Sequence, residues 1–182
     1  MIPDGGIARF RVYGTITPPQ LGKGVAEVAA DNPALNTLDL AHVLNGGRVV
    51  YTSDQHFGKG PNVLLPGRGF DMGDGWETKR SRSRDHKDWL VIKLAEPGHL
   101  LHSEIDTAHF LGNFPESVEL HGASFDGEVP PGSDVDPAKE TGTQWVSLLP
   151  RSKVGPGRQH FFELNHRTQA FSHVRVTMLP VS

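Results

Sequence analysis

No cysteine occurs among the 182 residues. That excludes disulfides, thiolate metal sites and a cysteine nucleophile, and it fits a reducing compartment such as the cytoplasm. Charge of one sign is not in excess either. Lys and Arg number 18 against 21 for Asp and Glu, a formal charge of −3, too little for a bulk attraction to nucleic acid or to an anionic membrane. Long apolar runs are missing: none approaches the roughly 20 residues that cross a bilayer, and the amino terminus lacks the pattern of a secretory signal. What remains is the expectation of a soluble cytoplasmic domain, with a length that suits one hydrophobic core.

Turn formers are abundant by contrast. Glycine (21) and proline (14) make up about a fifth of the chain and recur at short intervals between brief apolar segments, the pattern of an all-β sandwich or barrel. Ile7 to Tyr13 alternates, with Ala8, Phe10 and Val12 on one face and Arg9 and Arg11 on the other. Further strands are expected at Arg48–Tyr51, Trp89–Leu94, Leu100–Asp106, Ser117–His121, Trp145–Leu149, His160–Leu164 and Phe171–Met178. In Leu100–Asp106 the alternation sets Leu101 and Ile105 against Glu104 and Asp106. One helical turn is expected at Leu38–Leu44, capped by Asp39 and stopped at Gly46. Residues 17–24 and 122–142, rich in Gly and Pro, read as loops. About eight short strands with long connections point to a jelly-roll sandwich.

Chemistry-bearing side chains concentrate between Asn62 and Asn113. Arg68, Arg80, Arg82 and Arg84 each offer a planar fork that matches a carboxylate, although most such surface charges are merely solvated. Asp74 and Glu77 flank Trp76; a carboxylate beside a buried indole can work as an acid, or Glu77 can pair with Lys79 or Arg80. Asp106, Thr107, His109 and Asn113 leave a strand together. A histidine moves protons near neutral pH and an aspartate can fix its tautomer, yet the same residues can simply tie down a turn, with Gly112 and Asn113 left-handed. His56, His86, His160 and His166 show no H-E-x-x-H or similar spacing, so no metal and no cofactor are expected.

The pieces Asp39-Leu40-Ala41, Asn62 to Gly69, Met72 to Arg82, His86 to Trp89 and Asp106 to Pro115 together resemble, in order, the allantoicase family, ureohydrolases that split allantoate into ureidoglycolate and urea. A G-R-G followed by M-G-D-G-W-E-T and later D-T-A-H-F-L-G-N-F-P carries the likeness. The resemblance implies a jelly roll of the galactose-binding-domain kind. It also implies a single repeat, corresponding to the second of the usual two, as one domain over residues 1–182. Residues 1–14 are similar to the closing strand of a preceding repeat. That strand is expected beside Phe171–Met178, within the chain or exchanged with a second copy.

The implied function is hydrolysis of allantoate in purine (allantoin) degradation. In this reading His109 transfers the proton, Asp106 orients it and Glu77 is a rival acid. Arg68 or Arg80 clamps the substrate carboxylate, Asn113 meets the ureido arms, and Asp74 and Trp76 complete the binding site. The alternative is a non-catalytic jelly-roll module that binds a ureido compound or a carbohydrate. The expected partners are allantoate and a second repeat or a homo-oligomer, with no nucleic acid and no membrane. The basic run from Lys79 to Lys87, interleaved with Asp85, is read as a substrate-side or subunit-contact loop.

Overall fold

The computed structural model describes residues 5–16, 37–83, 86–137, 139 and 145–179. Within them lie ten strands: β1 (Gly6–Ile7), β2 (Arg9–Ile16), β3 (Leu38–Asp39), β4 (Arg48–Thr52), β5 (Trp76–Glu77), β6 (Asp88–Asp106), β7 (Ser117–Ala123), β8 (Val146–Lys153), β9 (Gln159–Glu163) and β10 (Ala170–Leu179). All pairings between them are antiparallel. The helical elements among the described residues are 3-10 turns at Val43–Asn45, Gly60–Leu64 and Met72–Asp74, and no described helix is long and apolar enough to cross a membrane. The expected all-β class holds.

Strand β6 builds both layers. Its first half, Asp88 to Lys93, has β4 on one side and β10 on the other, and β10 continues to β7 and β8. Its second half, Gly98 to Asp106, has β2 on one side, with β3 beyond, and β9 on the other. The sequence reading places two strands here, separated by Pro97 and Gly98. The chain instead runs through as one strand, with Pro97 at an exposed position inside it and Gly98 already paired again. Leu90, Ile92, Leu94, Val118, Leu120, Val174, Val176 and Met178 from one layer meet Phe10, Val12, Leu100 and Ile105 from the other in a single buried cluster. That shared core makes the arrangement a sandwich.

Three further expectations are corrected. A bulge opposite Tyr13 and Gly14 skips Leu101, so fully buried Leu100, not half-buried Leu101, joins Ile105 in the core. Leu38–Leu44 is not a helix with an Asp39 cap. Leu38 and Asp39 pair with β2, and the Asp39 carboxylate accepts from Val12 N and Ala41 N. His42 then caps a short 3-10 turn that stops at Gly46, φ 106°. The Ile7–Tyr13 segment is interrupted at Ala8, and its main length pairs with β6 within the chain rather than with Phe171–Met178, whose neighbours are β6 and β7. The excursion expected at 122–142 is a loop where it is described beyond Ala123, and it is tied to β6: Trp89 Nε1 donates to Ser133 O at 2.7 Å and Lys93 Nζ to Gly127 O at 2.6 Å. The loop expected at residues 17–24 and Arg84 and Asp85 of the basic run lie outside the described residues.

Candidate active site

Two connections, residues 53–87 between β4 and β6 and residues 107–116 between β6 and β7, meet beyond the strand ends. Asp54 organises the first. Its carboxylate accepts from the backbone N–H of His56 at 3.2 Å and of Lys79 at 2.7 Å, while its carbonyl accepts from the Trp76 indole at 2.7 Å. Strand β5 is gripped on two sides: Gly6 and Ile7 pair with Glu77 and Trp76, and Gly58 bridges to Glu77 from the opposite edge. Trp76 is wholly buried and anchors the strand, so the next residue, half-buried Glu77, faces outward. Asn113 Nδ2 donates to Glu77 Oε1 at 2.6 Å. A cavity of about 460 Å³ opens there, lined by His56, Phe57, Glu77, Lys79 and Arg80.

A second cavity of about 430 Å³ is lined by Arg68, Gly69, Ala108, His109, Leu111 and Gly157. Behind it, fully buried Asp106 ends β6 and accepts a bidentate pair from Arg68, Nε at 2.7 Å and Nη2 at 2.9 Å, as well as the Ala108 N–H at 2.9 Å. The Asp106 carboxylate holds the Arg68 guanidinium above its usual pKa. His109 takes a left-handed backbone, φ 70°, which sends its Nε2 to the Gly69 carbonyl at 2.7 Å. Such a conformation is uncommon outside glycine and persists only where the surroundings enforce it.

The candidate residues are thus divided. Glu77, Arg80 and Asn113 come together at the first cavity, and Arg68 and His109 line the second. The expected dyad does not form: Asp106 pairs with Arg68, and the His109 ring bonds a backbone carbonyl instead of the Asp106 carboxylate. The left-handed residue of this segment is His109 rather than Gly112 or Asn113. Trp76 is core, and neither it nor Asp74 lines a cavity described above. Asp74 serves the loop instead, accepting from buried Arg9 Nη2 at 2.7 Å and from Phe70 N at 3.0 Å. Three further wall residues, His56, Phe57 and Lys79, carry no mark of a site in the sequence alone. The one local signal is the polar S-D-Q-H-F-G-K-G loop that holds His56. Among the described residues no group of three His, Asp or Glu side chains converges as a metal ion would require.

The two cavities differ in what their cations are free to do. Arg68 has committed two of its nitrogens to Asp106, and Lys79 stands 3.7 Å from Asp54. Exposed Arg80 makes no ion pair among the described residues. An uncommitted guanidinium beside an oriented carboxylate can hold an anionic substrate and transfer a proton to or from it.

The Asp74 interactions give a testable pH dependence. The Phe70 N–H first, and then the Arg9 guanidinium, hold its carboxyl below the ordinary 3.8. With the folded value depressed, the unfolded chain takes up the proton first as the pH falls. The stabilisation is therefore in place above the unfolded value near 3.8 and lost on acidification through the folded one. Asp74→Asn should be less stable than the parent at pH 7, with the gap closing below about pH 3.8. Urea titrations at the two pH values check this, and a gap independent of pH would contradict it.

Comparison with known proteins places these segments in a family. The family described as "Allantoicase repeat" matches residues 38–181, a range that holds both connections and every strand except β1 and β2. The "Probable allantoicase" of Schizosaccharomyces pombe is 46% identical over 181 residues, 99% of this chain and 47% of that protein. The allantoicase of Saccharomyces cerevisiae is 43% identical over 182 residues, 99% and 48% respectively. The chain spans about half the length of the curated relatives it matches. The crystal structure of the Saccharomyces cerevisiae allantoicase superposes with a TM-score of 0.66 at 26% identity, covering 99% of this chain and 69% of that one. The repeat match, the near-complete sequence alignments and the shared β-sandwich concern the same residues, and on that ground the chain belongs to the allantoicase family.

Proposed function

We propose that the cavity at Glu77 hydrolyses allantoate to ureidoglycolate and urea, as the family name and the names of the relatives support. The observation that carries the reading is the convergence of an oriented carboxylate, Glu77 on Asn113, with exposed Arg80, which pairs with no carboxylate among the described residues, in one pocket. The reaction breaks the bond between a tetrahedral carbon and a urea nitrogen. Water supplies the oxygen that replaces it, the bonding pair leaves with the nitrogen, and a proton must reach that nitrogen for urea to depart. Glu77 transfers this proton, Arg80 holds the substrate carboxylate, and His56 and Lys79 complete the polar wall. Asn113 holds the Glu77 carboxylate in one orientation. The pairing of Asp106 with Arg68 and of the His109 ring with the Gly69 carbonyl supports Glu77 over His109 for proton transfer and Arg80 over Arg68 as the clamp.

The chain's match to about half the length of its relatives supports pairing with a second repeat or a second copy. A small polar substrate and a cysteine-free composition support a cytoplasmic setting. A colorimetric urea assay on allantoate tests the activity, with Arg80→Gln as the informative variant. Losing a charge-assisted pair should raise KM about tenfold or more while kcat changes less. Binding of allantoate without urea release would return the chain to the non-catalytic reading, and an unchanged KM would move the carboxylate clamp away from Arg80.

A further inference from the structure

The Asn113–Glu77 hydrogen bond joins two segments that reach it by different routes, and one aromatic ring lies between them. Phe110, fully buried, belongs to the 107–113 segment that carries Asn113. Glu77 belongs to the β1–β5 ribbon, where Gly6 faces Glu77 and Ile7 faces Trp76. The ribbon approaches the ring through glycine. A Cβ added at Gly6 would stand 1.9 Å from Phe110 Cε1, and one at Gly75 would stand 2.9 Å from Cε2. Real contacts between carbon atoms begin well beyond both distances, so the ribbon reaches the ring only because these two residues carry no side chain.

We propose that Phe110 is a positioning residue for Glu77: its ring, seated between Gly6 and Gly75, sets the separation of the β1–β5 ribbon from the 107–113 segment and so the Asn113–Glu77 bond. The inference deepens the reading of this pocket as the active site and rests on it. It gives residues 5–7 a duty in the site although they contribute no group to the cavity lining. A displacement of about 1 Å in a catalytic group can cost on the order of a hundredfold in rate.

The test is a substitution cycle read in two ways. The first reading is the side-chain amide resonance of Asn113 across pH, which follows the Glu77 carboxyl in a pocket whose described lining also carries His56, Lys79 and Arg80. The second is urea release from allantoate. Gly6→Ala should shift the amide resonance and lower kcat roughly tenfold or more, with KM changing less than about threefold. The double variant Gly6→Ala/Phe110→Leu should recover both, because the smaller side chain yields the space. Gly112→Ala, whose added methyl meets nothing within 4 Å, is the control and should match the parent.

Should Gly6→Ala fail to fold, Phe110→Leu alone decides. The loosened contact weakens the donor to the Glu77 carboxylate, so the amide resonance shifts and the alkaline limb of the rate profile, where the proton Glu77 must donate is lost, moves to higher pH. Parent-like amide resonances in Gly6→Ala and Phe110→Leu, or a double variant no better than Gly6→Ala, would overturn the proposal. A parent chain that releases no urea overturns the active-site reading instead, while the amide resonances still decide the positioning role.

Discussion

Deletion of residues 1–16 should give a chain that aggregates or melts far below the parent. Ile7, Phe10 and Val12 are each at most 1% exposed, and full burial of such side chains stabilises by about 1.5 to 3 kcal/mol apiece. Their joint loss is on the order of 5–9 kcal/mol, an upper estimate that rivals the roughly 5–15 kcal/mol net stability of an ordinary domain. The backbone loses as well. Strand β2 pairs with β6 from Arg9↔Asp106 to Ile16↔Gly98, so its removal bares a long sheet edge open to other chains. Asp74 would lose Arg9, and Glu77 would lose its pairing with Gly6. Thermal unfolding and light scattering on the truncated chain provide the check. A melting temperature and solubility equal to the parent's would mean that β1 and β2 are dispensable additions to the sandwich.

The second large effect is chemical rather than structural. Glu77→Gln should cut the turnover of allantoate by roughly 10²- to 10⁴-fold, the usual contribution of a positioned acid or base, and leave the melting temperature within a few degrees of the parent's. The replacement keeps the side-chain shape, and its amide oxygen can still accept from Asn113 Nδ2, which holds the carboxylate at 2.6 Å. The ionisable proton and the carboxylate charge are lost. Steady-state rates with the urea assay, set beside a thermal melt of the same sample, separate the two quantities. Near-parental turnover in Glu77→Gln would take proton transfer away from this residue and leave His56, on the same cavity wall, as the group to examine next.

The histidine that looked best suited to proton transfer shows where reading the sequence fails. His109 and Asp106 are three residues apart and chemically matched, yet the carboxylate is taken by Arg68, 38 positions upstream, and the imidazole by the carbonyl of Gly69. Nothing local predicts that choice. It follows from the path of the 65–71 loop, which Arg11 also ties down by donating to Gly67 O at 2.6 Å. It follows too from the positive φ at His109, which turns the ring toward the loop and away from its neighbour. The bulge that exchanges Leu101 for Leu100 has the same origin: strict alternation predicts facing only while the ladder stays in register.

The strands themselves were open to direct reading. Alternation is a property of one segment, and it located β7 and β10 closely because Val118 and Leu120, and Val174, Val176 and Met178, recur at every second position; short apolar segments between turn signals located β4 and β9. The all-β class, the lack of disulfides and the family motifs with Glu77, Arg80 and Asn113 likewise needed only the order of residues. The sandwich decided what depends on distant segments arriving at one place: the seating of Gly6 and Ile7 against β5, the capture of Arg68 by Asp106, and the meeting of Asn113 with Glu77 around Phe110. A hydrogen bond or an ion pair goes to whichever partner the packed core brings within about 3 Å, and the core is a property of the whole chain.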